Sequence, residues 1–157
     1  MIYLDMDSVL CNFVDWVLSI DPNAFEAAKL DELNRDRVTA IMVEHYKECF
    51  REFEFIEKNR FLLDLPEPKA ILTVIPTKAI VRYCGSNIEK AFDVIRRLKR
   101  NKLYWCEKYL GYPASKVIFC NTRSEKIIYA TPGSILYDDD EETVRIWNKY
   151  SKAYLIK

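Results

Sequence analysis

Glycine is scarce in this chain, histidine almost missing, and neither sign of charge prevails. Three glycines in 157 residues, with no period or tract, exclude collagen-like and low-complexity architectures. The single histidine, His45, leaves structural zinc and histidine-dependent triads with one candidate ligand or base. Twenty-four basic residues balance twenty-four acidic ones, which argues against a dedicated polyanion binder and leaves only a local basic patch open. No apolar run approaches the roughly 20 residues of a membrane-spanning helix. Met1-Ile2-Tyr3-Leu4-Asp5 has no basic region and meets an acid at once, so it does not read as a signal peptide. The cysteines, Cys11, Cys49, Cys84, Cys106 and Cys120, are odd in number and lack CxxC spacing. That usage favours reduced thiols and a cytoplasmic setting.

What is present suffices for one well-packed domain: 50% of residues are hydrophobic and 31% charged. Short β-rich runs at 2–4, 79–84, 117–120, 135–137 and 153–156 alternate with helical patterns. Ile88, Ala91, Phe92, Ile95 and Leu98 repeat at helical spacing, a further helix covers 102–110 before Gly111, and another covers 143–150. The alternation predicts an α/β domain: a doubly wound, five-stranded parallel sheet of Rossmann-like type. The interval 14–68 breaks the rhythm. It holds no convincing strand, opens a helix at Asp21-Pro22, and carries a long apolar stripe at 38–56. It is expected to form a small helical cap, inserted into a core made of 1–13 and 69–157. His45 lies on that stripe and reads as a partly buried helix residue rather than a ligand.

Ligands of open parallel sheets bind beyond the carboxyl ends of the strands. Asp5-Met6-Asp7 follows the first strand, Gly85-Ser86 the expected second, Lys126 comes after the third, and Asp138-Asp139-Asp140 follow the fourth. Bunched carboxylates repel unless a dication lies between them, and Mg²⁺ takes carboxylate oxygens together with a phosphate oxygen. A carboxylate can also attack phosphorus, and a second acid nearby can shuttle the proton. Ser86, the N–H groups of the following helix and Lys126 would stabilise charge on the phosphoryl oxygens. A lone DxD is weak evidence; the ordered set is stronger. Asp138-Asp139-Asp140 alone could instead be a solvated turn into a capped helix.

Asp5-Met6-Asp7-Ser8-Val9-Leu10-Cys11-Asn12-Phe13 resembles the first motif of the haloacid dehalogenase superfamily, and more narrowly the DMDGVLADF motif of the 5′(3′)-deoxyribonucleotidases. The similarity extends through 81–86, 122–126 and 136–139. It implies Asp5 as nucleophile and Asp7 as general acid/base. Mg²⁺ would be held by Asp5, the Asp7 backbone carbonyl and one of Asp138 or Asp139. Lys126 would neutralise the phosphate and Phe13 would stack on the base. Two positions depart from the family pattern: Ser8 replaces a glycine, and the threonine expected at the end of strand two aligns with Gly85, leaving Ser86 as the nearest hydroxyl.

The expected function is therefore Mg²⁺-dependent hydrolysis of a small nucleotide, a (deoxy)nucleoside monophosphate, through an aspartyl-phosphate. Phosphatases acting on polynucleotide ends or sugar phosphates, and a catalytically impaired nucleotide-binding module, are the alternatives. No membrane partner is expected, the residues argue against polymeric nucleic acid, and homodimerisation stays open. The basic run Arg96, Arg97, Lys99, Arg100, Lys102 reads first as a solvated helix face. Trp105 and Trp147 read as packing residues.

Overall fold

The computed structural model describes residues 1–28 and 32–157. Five strands form one all-parallel sheet: β1 (Ile2–Leu4), β2 (Lys69–Val74), β3 (Val117–Cys120), β4 (Ile135–Asp138) and β5 (Lys152–Leu155), in the order β3-β2-β1-β4-β5. Helices α1 (Phe13–Ile20), α2 (Ala24–Ala28) and α3 (Glu32–Glu44) separate β1 from β2. Helices α4 (Thr77–Cys84) and α5 (Ile88–Leu110) join β2 to β3, and α6 (Glu141–Trp147) joins β4 to β5. The strand order reverses at β1, so β2 and β4 flank it on opposite sides.

Alternate strand residues feed two cores, one on each face of the sheet. Ile2, Leu4 and Ile71 pack with Val94, Leu98 and Trp105 of α5. Tyr3, Leu72 and Leu136 pack with Val144 and Trp147 of α6 on the other side. Helices thus cover both faces, which is why β2, paired on both edges, is buried along nearly its whole length. Trp105 and Trp147 are fully buried, in keeping with their reading as packing residues.

Strand two is not 79–84 as expected. That segment is helix α4, in which only Ile80 is buried while Val81 and Tyr83 are exposed. Pro76 stands at its start and Gly85, at φ 58°, ends it. The true strand lies just upstream, between Pro68 and Pro76, and its leading Lys69 is accommodated because the ammonium donates to the carbonyls of Leu63 and Leu65. Two further boundaries differ. The stripe 38–56 stays helical only to Glu44, after which the chain turns and places Phe50 at φ 68°. The helices expected at 88–98 and 102–110 are one 23-residue helix, because nothing between Ile88 and Leu110 breaks it: it holds no Gly or Pro, Asn87 caps its start through the Lys90 N–H, and Gly111 at φ 66° ends it.

The helix-to-turn segment 45–50 is tied to α5. Asn101 is fully buried and its Nδ2 donates to the carbonyls of Tyr46, Lys47 and Cys49 at 3.0–3.2 Å. Tyr46 donates to Asp93 on the same helix at 3.2 Å. Removing the Asn101 amide leaves three carbonyls without this donor, and that of buried Cys49 has little water to replace it. Asn101→Ala is expected to lower stability by about 1–3 kcal/mol in urea unfolding, whereas a loss below 0.5 kcal/mol would show that the amide does not hold this segment.

Candidate functional site

Every candidate acid is placed by the end of a strand. The Asp5 N–H donates to the carbonyl of Tyr137 at 2.9 Å, so the backbone is still in the sheet where the carboxylate begins. The following turn is closed by the N–H groups of Leu10 and Cys11 donating to the carbonyl of Met6, and by Ser8 donating to that of Cys11. Met6, Val9 and Leu10 anchor it from below, each fully buried. Ser8 sits at φ 62°, the left-handed region where the resembling family carries glycine. On β4, Asp138 is the last strand residue and is fully buried. Asp140 turns away to cap α6, accepting from Thr143 N and Oγ1 at 2.9 and 2.6 Å and pairing with Arg123 at 2.8 Å. The triple-aspartate run thus divides its labour: Asp140 serves the helix, Asp138 and Asp139 the rim.

Carboxylate oxygens of Asp5, Asp138 and Asp139 all lie within 4.8 Å of one another. One cation, Lys126, on a 3₁₀ turn (Ser124–Tyr129), reaches Asp5 at 2.9 Å and Asp138 at 2.7 Å while only 3% exposed. Burial opposes the Lys126 charge, but the two carboxylates more than offset it and its pKa is raised. Burial, with Asp7 as a repelling neighbour, pushes the Asp5 carboxyl up despite Lys126. Burial and the Asp5 charge push Asp138 to about 6. Asp139 is exposed as a residue, yet its carboxyl lies against Asp5 and Asp138; lost hydration and those two charges raise it to about 7. Three crowded carboxylates with one shared ammonium leave net negative charge, and an all-oxygen donor set of this kind fits a hard dication such as Mg²⁺.

Asp7 points to a different partner. Lys102, fully buried on α5, donates to both Asp7 oxygens at 2.9 and 2.7 Å, to Thr73 Oγ1 at 2.7 Å and to the Val74 carbonyl at 3.0 Å. The Phe50 ring lies 4.2 Å from its ammonium. Phe13 stacks on Phe50 with centroids 5.4 Å apart and touches Trp16 and Phe53, so its ring belongs to an aromatic cluster beside this clamp. His45 follows the end of α3, is partly buried, and meets Trp16 edge-on and Glu48 at 2.9 Å.

The structure thus gathers Asp5, Asp138, Asp139 and Lys126, with Asp7 two residues from the nucleophile candidate. It does not bring in Gly85 and Ser86. Both are exposed in the α4–α5 turn, and the whole of the 8-residue α4, about 12 Å long at 1.5 Å per residue, separates them from the end of β2. They were expected at a strand end that is actually a helix end. The hydroxyl that does lie near the end of strand two is Thr73, one residue before its last. Thr73 and Lys102 were missed, although each left a signal: Thr73 is the one hydroxyl within the apolar run 70–75, and Lys102 shares a helical face with Leu98 and Trp105 (i−4, i+3). No family model matches this chain and no curated protein matches it, so the site rests on its own geometry.

Two measurements follow. The Lys102 side chain is wholly buried whereas that of Asp7 is 23% exposed, so removing the acid leaves an ammonium with no route to water. Asp7→Ala is expected to cost about 3–5 kcal/mol and Lys102→Met distinctly less; the reverse order in chemical denaturation would contradict the clamp. The second concerns pH. Folded values of about 6 and about 7 for Asp138 and Asp139 lie above the unfolded value of about 3.9. Without metal, their protonated forms favour the fold below about pH 4, and that contribution is lost as pH rises through 6 and 7. A dication takes the ionised forms. Mg²⁺ should therefore raise Tm more at pH 8 than at pH 5.5, and equal shifts at both would place the ion elsewhere.

Proposed function

We propose that this protein is a Mg²⁺-dependent phosphomonoesterase of haloacid dehalogenase type, hydrolysing (deoxy)nucleoside monophosphates through an aspartyl-phosphate. The observation that carries the reading is the meeting of Asp5, Asp138, Asp139 and Lys126 at the carboxyl ends of β1 and β4, where the sheet order reverses. The helical stretch between β1 and β2 acts on this reading as a cap over the site, with the α4 turn and the outer part of α5 beside it.

Asp5, Asp138 and Asp139 would hold Mg²⁺, which when bound supplies charge neutralisation for the crowded acids and the phosphoryl oxygens. The Asp5 carboxylate attacks phosphorus as the bond to the leaving nucleoside oxygen breaks. Lys126 draws the equatorial oxygens toward the rim. Asp7, oriented by Lys102, would relay the proton: it takes the one carried in by the phosphate monoanion and gives it to the leaving oxygen, then takes one from the water that cleaves the acyl-phosphate and releases inorganic phosphate. The head of α4, which starts at the same rim after Pro76, adds a favourable dipole for the anion. The Ser86 hydroxyl has no part in this scheme. Phe13 and its aromatic neighbours are the natural wall for a base.

The test is phosphate release from deoxy- and ribonucleoside monophosphates, phosphorylated oligonucleotides and sugar phosphates, each with Mg²⁺ or EDTA. Release from the mononucleotides, silenced by EDTA and by Asp5→Asn (at least 10³-fold), is expected while the variant keeps a cooperative melt. Turnover by Asp5→Asn at the parent rate would remove Asp5 from its role. Mononucleotide binding without phosphate release would favour a non-hydrolytic module.

A further inference from the structure

On the side of α5 away from Lys102, the basic run does not simply dissolve into solvent. Asp93, Arg96, Arg97 and Arg100 recur at i, i+3, i+4, i+7 and so share one helical face. Together with Tyr46 and Lys47 they line a cavity of about 250 Å³. Four cations thus face one carboxylate, and that carboxylate already accepts from Tyr46 at 3.2 Å. Lys90 adds a further positive charge over the outer face of the Tyr46 ring, 4.2 Å from its centroid.

Among the described residues, Arg37, Arg51, Arg60, Arg123 and Arg145 each lie within 4.0 Å of a carboxylate, while Lys47, Arg96, Arg97 and Arg100 do not. The Nε of Arg97 is buried with no hydrogen-bond acceptor. A buried, unsatisfied guanidinium N–H is costly and uncommon, and the group that satisfies it must be an acceptor, best an anionic one. Guanidinium forks match phosphate oxygens two at a time.

We propose that this cavity binds the phosphate moiety of a small phosphorylated molecule, of the size of a diphosphate, at a site separate from the acidic cluster. Its volume suits a compact ligand rather than a threaded polymer. Bound there, the anion bridges α5 to the 46–47 wall, which continues into Phe50 beside the Lys102 clamp. The inference does not depend on the hydrolase reading, since it requires neither metal nor catalysis.

The experiment is calorimetric titration of the full chain with sodium pyrophosphate in EDTA, at 50 and 150 mM salt. One saturable site is expected, unchanged in Asp5→Asn and weakened at least tenfold in Arg97→Ala and in the exposed-residue variant Arg100→Glu, both checked for parent-like melts. Arg97→Lys, which keeps charge but loses the fork, should bind at an intermediate level. No saturable binding, or equal affinity in Arg97→Ala and Arg100→Glu, overturns the proposal. Loss of binding in Lys126→Met with retention in Arg97→Ala does so too, by placing the anion at the acidic cluster. Competing oligothymidylates supply the last arm: displacement that strengthens with chain length overturns the small-ligand assignment, and length-independent displacement supports it.

Discussion

One buried ammonium holds the upper edge of this sheet together. Lys126 lies between Asp5 and Asp138, which belong to adjacent strands and would otherwise repel across the gap. Each of these carboxylates has lost water to burial, and the Asp5 charge further raises the pKa of Asp138. A side chain from a short turn after β3 thus ties together two acids that precede and follow it in the chain. Asp139 joins the group without a cation of its own, so the charge remains unbalanced at the rim. That imbalance, rather than any single residue, is what makes the edge a fitting donor set for a dication.

A second lysine repeats the device from the opposite direction. Lys102 comes down from α5 and saturates its ammonium on Asp7, Thr73 and Val74, linking the turn after β1 to the end of β2. The two lysines thus bracket the short stretch from Asp5 to Asp7, one on each acid. The turn between tolerates a left-handed Ser8 because its neighbours Met6, Val9 and Leu10 are fixed in the core. Local strain is accepted there in exchange for two carboxylates placed two residues apart and facing different partners.

How far the primary structure revealed this arrangement depended on whether the signal was local. Asp5, Asp138 and Asp139 each follow directly on a short apolar run, and strand ends in parallel sheets share a rim, so their meeting could be foreseen. The second strand was missed because 79–84 carries β-branched and aromatic residues and runs into Gly85-Ser86, imitating a strand and its loop. The segment between Pro68 and Pro76 held the better claim: continuous apolar character belongs to a strand buried on both faces. The length of the helix at 32–44 was overestimated since apolar spacing continued through a turn that tertiary packing, not local propensity, creates around Phe50 and Phe53. Lys102 was hidden inside a basic run. Only the helical phase, which aligns it with Leu98 and Trp105, separates it from Arg96 and Arg100 outside.

Helix α5 runs from Ile88 to Leu110 without proline or glycine, about 35 Å at 1.5 Å per residue. Lys102 pins it at the level of the strand ends, and the residues before that pin run along α4 and the 45–50 segment. A rod without a joint cannot tilt at one end and stay still at the other. Any load borne by its outer half, where it meets the 45–50 segment and α4, is transmitted as torque at the pin, so that the acidic rim and the helical stretch between β1 and β2 share a single lever arm.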